Sequence, residues 1–460
     1  MNSTDSDSNL NNTPCSMQNS QLTIEKENNL NSNFNNNDKI LDISQNNLNN
    51  INIKIENEEN FSIFDEKNLD NEENKVQNNK NINLNNENNQ DEKNNNNKNK
   101  ELEEKINKLV VNLKTQLDSD YAGKRTIILK SLEYKDCSYV NSLLQCLGNL
   151  PDLLIYLKNN INNINKPKKI PFAFNFFRVI EHLYIKKSLE NYTIYDTCPF
   201  IEVIDHFYPF LKINKNPIDL FNIIMHDIHN ELNKLKLENK KTIFPKNFDK
   251  KNLDEVIIFS LTDFFNKNYS IISQIFTSFF MKEIKCTKCN NTFYELQNFT
   301  SFDLDIINTY KAYKKNNLTI NDCLTYYISK TNINLICSIC NKSSKLIIKK
   351  NIYSPSKNLA FVINRNNQND EKEILKIKFN YEENLDISYY IDTKIDDIKV
   401  EYILIGVVGF LFKEKKYVAF CKNLFYNEWI CFEDEAIEEI NYSYMINNST
   451  PYILFYKLLE

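Results

Sequence analysis

The spacing of apolar residues changes part-way along the chain. Between residues 101 and 235, apolar side chains recur three or four positions apart, which is the period of a helix that buries one face. Beyond about residue 270 the apolar runs become short and rich in β-branched and aromatic residues, which favours strands. A helical lobe followed by a mainly β lobe predicts an α+β fold.

The same pattern places individual elements, because polar turns and a proline at residue 151 separate the apolar segments. Helices are predicted over Glu101–Leu117, Ser138–Asn149, Asp152–Leu157, Phe172–Tyr184, Phe200–Leu211 and Ile218–Leu235. Strands are predicted within Ser278–Ile284, Phe293–Leu296, Leu346–Ile348, Leu359–Ile363, Tyr402–Phe412, Tyr417–Phe420 and Pro451–Tyr456.

The first 105 residues show no such period. Asn, Glu, Lys, Asp and Ser dominate this tract, and that composition cannot bury enough apolar surface to offset the entropy of the chain. We predict a disordered Asn-rich tail over residues 1–105, a lead-in helical segment over 106–124 and a folded domain over 125–458. Two apolar islands in the tail, Ile51–Ile55 and Phe61–Phe64, are candidate binding motifs.

Charge and cysteine content narrow the class of protein. The net charge is −5 and the pI is about 5.7, which argues against direct nucleic-acid binding through bulk positive charge. The chain has no apolar run long enough for a membrane span and no signal-peptide core, so we expect no membrane. The 11 cysteines are therefore expected to be reduced, in the cytoplasm or the nucleus.

Four of the cysteines form two CxxC pairs. Cys286 and Cys289 make the first pair, Cys337 and Cys340 the second, and 47 residues separate the pairs. Two residues between cysteines allow a tight turn to direct both thiolates at one tetrahedral ion. A redox role is disfavoured because neither pair opens a helix after a strand. The spacing predicts one Zn²⁺ ion, which is structural because four thiolates close its coordination shell.

A second feature is Cys137-Ser138 at the start of a predicted helix, where the helix dipole stabilises an anion. A cysteine or serine nucleophile also needs a base, usually a histidine. The only histidines are His182, His206, His226 and His229. None follows residue 229, so the β lobe cannot supply an imidazole.

Several segments, taken in order, resemble the motifs of the ubiquitin-specific proteases, the papain-like deubiquitinases. Tyr139–Gln145 matches the second half of the cysteine box, and Phe221–Asn233 looks like the second box with its terminal H-E-E-L-N. Other matches are the two CxxC pairs, Phe361–Arg365, Leu385–Ile387, Lys416–Phe420 and Trp429–Asp434. The resemblance implies a helical thumb, a β palm and zinc-ribbon fingers at about residues 270–350.

The resemblance also identifies where the catalytic residues would stand. The nucleophile position holds Ser138, with Cys137 one residue early, and the oxyanion-hole Asn position holds Glu133. The histidine position holds Lys416 and the orienting Asp position holds Glu433, a pair expected to form an ion pair. A carboxylate at the oxyanion position would repel the developing negative charge.

These departures predict a pseudo-deubiquitinase, which binds ubiquitin or a ubiquitin-like protein, or scaffolds a multiprotein complex, without cleaving. One alternative is an active divergent deubiquitinase that uses Cys137, the only plausible thiol, or a Ser138–Lys416 dyad. Another alternative, by analogy with family members that have degraded triads, is an assembly factor of the kind found in splicing complexes.

Overall fold

The structure is a computed structural model, and it describes residues 84–117, 127–185, 193–235, 248–363, 365, 377–391, 399–433 and 436–459, with side chains from residue 99 onward. Residues 1–83 of the predicted tail, including both apolar islands, lie outside the described residues. Asn364 and Asp434 of the matched motifs do so as well. None of the helices in these ranges is long and apolar enough to cross a lipid bilayer.

The lead-in helix, α1, runs from Leu84 to Gln116 and so starts well before the predicted residue 101. Extending an existing helix costs little, which offsets the weak helix preference of the nine asparagines among residues 84–100. Near its C-terminal end Leu113 is buried, and so is Leu117 just beyond it. Further back, Lys105 Nζ lies 2.6 Å from a carboxylate oxygen of Glu401. Residues 118–124 of the predicted segment lie outside the described ranges.

A layer of helices follows, with a short parallel strand pair at its edge. The helices are α2 (Ser138–Gly148), α3 (Pro151–Ile164), α4 (Pro171–Ile185), α5 (Cys198–Phe207), α6 (Leu211–Asn214) and α7 (Pro217–Leu232), and the strands are β1 (Ile127–Lys130) and β2 (Thr193–Asp196). The helix predicted over Phe200–Leu211 is in fact two helices. Pro209 explains the break, because the residue before a proline disfavours helical backbone.

The next segment of the chain builds a four-stranded antiparallel sheet in the order β4-β3-β8-β7. Its strands are β3 (Ser278–Cys286), β4 (Thr292–Phe299), β7 (Thr331–Ile336) and β8 (Ser343–Ser354). Two helices precede it, α8 (Leu253–Phe265) and α9 (Ile271–Ile275). Between its two hairpins the chain forms β5 (Phe302–Leu304), α10 (Ile306–Tyr313), β6 (Asn317–Thr319) and α11 (Ile320–Ile328). The pattern did not predict α8, α10 or α11.

The remaining strands build the large sheet, in the order β15-β14-β13-β12-β16-β9-β5, with β11 paired to β12. Its strands from residue 358 onward are β9 (Asn358–Ile363), β11 (Asn384–Asp386), β12 (Glu401–Leu411), β13 (Lys416–Asn423), β14 (Glu428–Glu433), β15 (Ala436–Ile440) and β16 (Thr450–Leu458). Beside it lie β10 (Lys378–Asn380), which pairs with β6, and α12 (Tyr442–Asn448).

The large sheet is buried on both faces. One face, including Ile405, Val408 and Phe455, packs against the helical layer, with α2 in contact with β12 and β13. The opposite face, including Phe361 and Tyr456, packs against α11 and the residues around it. An ion pair also joins the two layers, because Lys457 Nζ lies 2.9 Å from the Asp152 carboxylate at the start of α3. The α+β fold predicted from the apolar pattern is confirmed.

Replacement of Leu143 by alanine tests the contact between α2 and the sheet. Leu143 is fully buried, so Leu143→Ala should lower the free energy of unfolding by about 2–5 kcal/mol through lost burial and a cavity. Val111→Ala, at a largely exposed position of α1, should change it by about 0.5 kcal/mol or less. Urea unfolding monitored by circular dichroism gives both values. Equal effects of the two substitutions would contradict this packing.

Candidate active-site cleft and cysteine cluster

The loop between β1 and α2 presents Cys137. Ser131 anchors the loop, since its hydroxyl accepts a hydrogen bond from the Tyr134 amide at 2.9 Å and contacts Cys198 Sγ at 3.2 Å. Asp136 adopts a left-handed conformation with φ of 58°, and its carboxylate lies 2.9 Å from Lys215 Nζ. The chain then enters α2, where the Cys137 carbonyl accepts the Asn141 amide at 3.0 Å. Cys137 is therefore the N-cap residue of the buried helix.

The environment of Cys137 disfavours a thiolate. Burial raises the pKa of Cys137 to about 11, and the nearby ammonium of Lys215 opposes this rise only in part. A helix N-terminus alone would lower a thiol pKa, so desolvation is the larger effect here. At neutral pH the side chain is therefore almost entirely a neutral thiol.

Ser138 connects α2 to the large sheet. Its hydroxyl oxygen accepts a hydrogen bond from the Tyr417 amide at 3.2 Å, which joins positions 279 residues apart in the sequence. Lys416 is the adjacent residue on β13. The structure therefore brings the Cys137–Ser138 segment and the start of β13 together, as the order of the motifs predicted.

The ion pair predicted between Lys416 and Glu433 is present. Lys416 Nζ lies 2.6 Å from Glu433 Oε1, and both side chains are about one-quarter to one-third exposed. The pair joins the first residue of β13 to the last residue of β14. Glu433 also lines a small cavity of about 10 Å³ together with Ser138 and Tyr417.

The other candidate residues lie around this cleft. Glu133 is exposed, and its backbone amide donates to Cys198 Sγ at 3.4 Å. Asn141 on α2 accepts a hydrogen bond from the Thr197 hydroxyl at 3.0 Å, and Gln145 donates to the Ile127 carbonyl at 2.9 Å. These two amide side chains tie α2 to the neighbouring loop and to β1.

The four histidines lie on α4, α5 and α7 in the helical layer. The imidazole of His229 contacts Ser270 Oγ at 2.7 Å and Asn268 Oδ1 at 3.1 Å, and burial lowers its pKa. His182 stacks on Tyr195, whereas His226 contacts the Asp227 carboxylate at 2.9 Å. These contacts hold the imidazoles of His182, His226 and His229 against neighbouring groups.

The four paired cysteines converge at the end of the smaller sheet. The Sγ atoms of Cys286, Cys289, Cys337 and Cys340 all lie within 4.8 Å of one another. Two turns of matching geometry produce this arrangement. In each turn the first cysteine carbonyl accepts an amide four residues later, from Asn290 at 3.0 Å and from Asn341 at 2.9 Å, and both asparagines are left-handed. A cluster of four cysteine sulfurs at this separation could hold a metal ion.

The surroundings of the cluster also suit a metal ion. The Ser344 hydroxyl, at 3.1 Å, and backbone amides stabilise the sulfur of Cys286 as an anion and lower its pKa. In the second turn the Ile339 amide donates to Cys337 Sγ at 3.4 Å. Hydrogen bonds of this kind orient thiolate ligands and offset their charge. Ile284, Phe293 and Leu346 pack beneath the sulfurs and form a small core.

With this geometry established, the chain can be compared with known protein families. A family model described as "Ubiquitin carboxyl-terminal hydrolase" matches residues 129–456. The chain belongs to this family. The matched span contains Cys137 and Ser138, the four-cysteine cluster, and both members of the Lys416–Glu433 pair, so all of these lie within the family domain.

Solved structures support the same fold. A yeast SAGA DUB module structure matches with 20% identity and a TM-score of 0.52, covering 72% of this chain and 68% of the other. The Ubp8/Sgf11/Sus1/Sgf73 module bound to ubiquitin aldehyde matches with 20% identity and a TM-score of 0.50, covering 72% and 69%. A variant module bound to monoubiquitin matches with 18% identity and a TM-score of 0.51, covering 75% and 71%. The predicted thumb, palm and fingers correspond to the helical layer, the large sheet and the smaller sheet.

Sequence reasoning missed two contacts of the cleft. The hydrogen bond from Tyr417 to Ser138 and the ion pair between Lys215 and Asp136 both join distant parts of the chain. Nothing in the local sequence signals either contact, because the first depends on how the helical layer packs on the sheet and the second on how the loops of that layer pack together.

The pH dependence of alkylation tests the state of Cys137. Since its pKa is raised to about 11, its rate of reaction with iodoacetamide should rise about tenfold per pH unit, with no plateau between pH 7 and 9.5. Lys215→Gln removes the cation that partly opposes this shift and should slow the reaction further. Mass spectrometry of the Cys137 peptide gives the rate. A plateau near pH 7 would show an activated thiolate instead.

Replacement of one clustered cysteine tests metal binding. Cys340→Ser should reduce bound divalent metal from about one ion per chain to almost none, because three thiolates hold the ion less tightly. Elemental analysis of protein purified under reducing conditions gives the metal content. Cys323→Ser is the control, since Cys323 is buried on α11, in the core that packs against the large sheet and not in the cysteine cluster. Full metal retention in Cys340→Ser, or none in the unmodified protein, would contradict the assignment.

Proposed function

We propose that this protein is a catalytically impaired deubiquitinase-family member that binds ubiquitin or a ubiquitin-like protein without hydrolysing its conjugates. The observation that carries the proposal is the Lys416–Glu433 ion pair beside Ser138, at the position where the resemblance places the catalytic base. An ammonium held 2.6 Å from a carboxylate has no lone pair with which to accept a proton.

No plausible nucleophile in this cleft is activated. Ser138 would need a base to remove its proton, and its oxygen accepts a backbone amide while Lys416 is held by Glu433. Cys137 is a cysteine, like the nucleophile of the family, but its side chain is a neutral thiol at physiological pH. The four histidines lie on helices of the thumb and have structural contacts there.

The proposed oxyanion position adds to the impairment. Acyl transfer requires hydrogen-bond donors directed at the oxygen that becomes negative, and loss of one such donor costs a factor of about 10²–10³ in kcat. Glu133 offers a carboxylate at this position, which repels that charge. Nucleophile, base, orienting residue and oxyanion donor would thus all be changed together.

The fingers support a binding role. We propose that the ion held by Cys286, Cys289, Cys337 and Cys340 is Zn²⁺, since four cysteine sulfurs are a typical structural zinc shell. The ion would join the β3–β4 hairpin to the β7–β8 hairpin and keep the fingers ordered. A four-thiolate site is stable in a reducing compartment, which favours the cytoplasm or the nucleus.

The solved structures favour ubiquitin as the ligand and a complex as the setting. Those structures are of modules of several proteins, bound in two cases to ubiquitin aldehyde or monoubiquitin. We propose by analogy that this chain also holds a modifier of that class and also functions within a multiprotein assembly.

The competing hypothesis is slow hydrolysis by Cys137, favoured by the placement of that residue at a helix N-terminus. A ubiquitin C-terminal fluorogenic amide and isothermal titration with ubiquitin separate the two. We expect measurable binding, no turnover above the buffer rate, and no change in either with Cys137→Ala.

Turnover that Cys137→Ala abolishes and Cys323→Ser retains would establish the competing hypothesis. Absence of both turnover and ubiquitin binding would show that the chain recognises a different partner, in which case titration with ubiquitin-like proteins is the next comparison.

A further inference from the structure

The smaller sheet has one exposed edge, formed by β7. All six residues from Thr331 to Ile336 are exposed, and in the described part of the chain no strand pairs with the outer side of β7. The apolar side chains are 38% exposed at Ile333, 53% at Leu335 and 70% at Ile336. Soluble proteins usually protect such edges with charges or proline, yet β7 contains neither.

The opposite edge of the same sheet is covered. There the Tyr294 amide of β4 donates to the Lys250 carbonyl at 2.9 Å, and α8 packs beside the strand. At β7, by contrast, the backbone amides and carbonyls of alternate residues point away from β8. This edge therefore has the geometry that accepts an added strand.

The charge and pattern around β7 define the strand that it would accept. Exposed lysines surround it at Lys330, Lys342 and Lys345, so an acidic segment is favoured and a second copy of β7 would meet like charges. Along β7, Ile333 and Leu335 alternate with Asn332 and Asn334. Ile333 lies opposite Leu346, a residue of the small core under the cysteine cluster, but Ile333 itself remains exposed.

One segment of this chain, outside the described residues, has that chemistry. Residues 51–55 read Ile-Asn-Ile-Lys-Ile, with isoleucine at every second position, and Glu56, Glu58 and Glu59 follow directly. A period of two lets every isoleucine point to one face of a strand. The geometry of β7 points to Ile51–Ile55 as a fifth strand of the smaller sheet, with its glutamates beside the surrounding lysines.

Covalent connection makes this pairing favourable despite its small size. The 28 residues from 56 to 83 can span up to roughly 90 Å between the segment and α1. Because the segment is tethered to the same chain, its effective concentration at β7 is in the millimolar range. At that concentration even a weakly pairing strand is bound for a substantial part of the time. The added strand would cover an aggregation-prone edge and would place the tail on the fingers. The inference does not depend on the proposed function.

Hydrogen exchange of the full-length chain tests this pairing. Ile53→Asp puts a charge at the centre of the added strand, so the amides of residues 331–336 should exchange at least about tenfold faster than in the unmodified protein. Ile63→Asp is the matched control, because it makes the same change in the other apolar island of the tail. Exchange at β7 should then remain slow.

A second measurement approaches the pairing from β7. Leu335→Lys should release residues 51–55 from β7. A glutamate-specific protease should then cleave the chain faster at Glu56–Glu59. Unchanged metal content would show that the fingers remain folded. Equal β7 exchange in Ile53→Asp and the unmodified protein would overturn the proposal. So would equal loss of protection in both tail variants. Protection that falls on dilution and is insensitive to Ile53→Asp would assign the edge to a second copy of the chain.

Discussion

Burial of α2 between the thumb helices and the palm sheet is the contact on which the rest of the molecule depends. Residues Tyr139–Gly148 are all buried, and the helix contacts α4, α7, β12 and β13. This packing places the N-terminus of α2, with Cys137 and Ser138, against the start of β13. The same contact that stabilises the domain therefore assembles the cleft.

The residues of the cleft are held by one hydrogen bond and two ion pairs. Tyr417 donates its amide to Ser138, Lys416 pairs with Glu433, and Lys215 pairs with Asp136. The first and third contacts join segments 279 and 79 residues apart, whereas Lys416 and Glu433 lie on adjacent strands. Catalysis instead needs a base with an available lone pair and donors directed at a developing charge. Of the three contacts, only the Tyr417–Ser138 hydrogen bond joins the thumb to the palm, because Lys416 and Glu433 both lie in the large sheet and Lys215 and Asp136 both lie in the helical layer.

The fingers depend on a different kind of constraint. At the end that carries the cysteines their core is small, consisting of Ile284, Phe293 and Leu346 beside two buried cysteines. Four converging sulfurs supply the missing constraint if they hold an ion. The backbone of the exposed β7 edge could pair with a further strand beyond the four of this sheet.

The sequence by itself determined the chemistry of this protein: the α+β succession, the metal-binding spacing of the two CxxC pairs, and the absence of a histidine after residue 229. These features are local, so periodicity, spacing and residue counts reveal them. It did not reveal α8, α10 and α11, because tertiary packing outweighs local preference there. The break before Pro209 and the early start of α1 have local causes that the apolar period does not record. Only the tertiary structure decided that Ser138 meets Tyr417 and that Cys137 is desolvated. The first result joins positions 279 residues apart, and the second depends on how the loop before α2 packs among groups such as Ser131, Cys198 and Lys215.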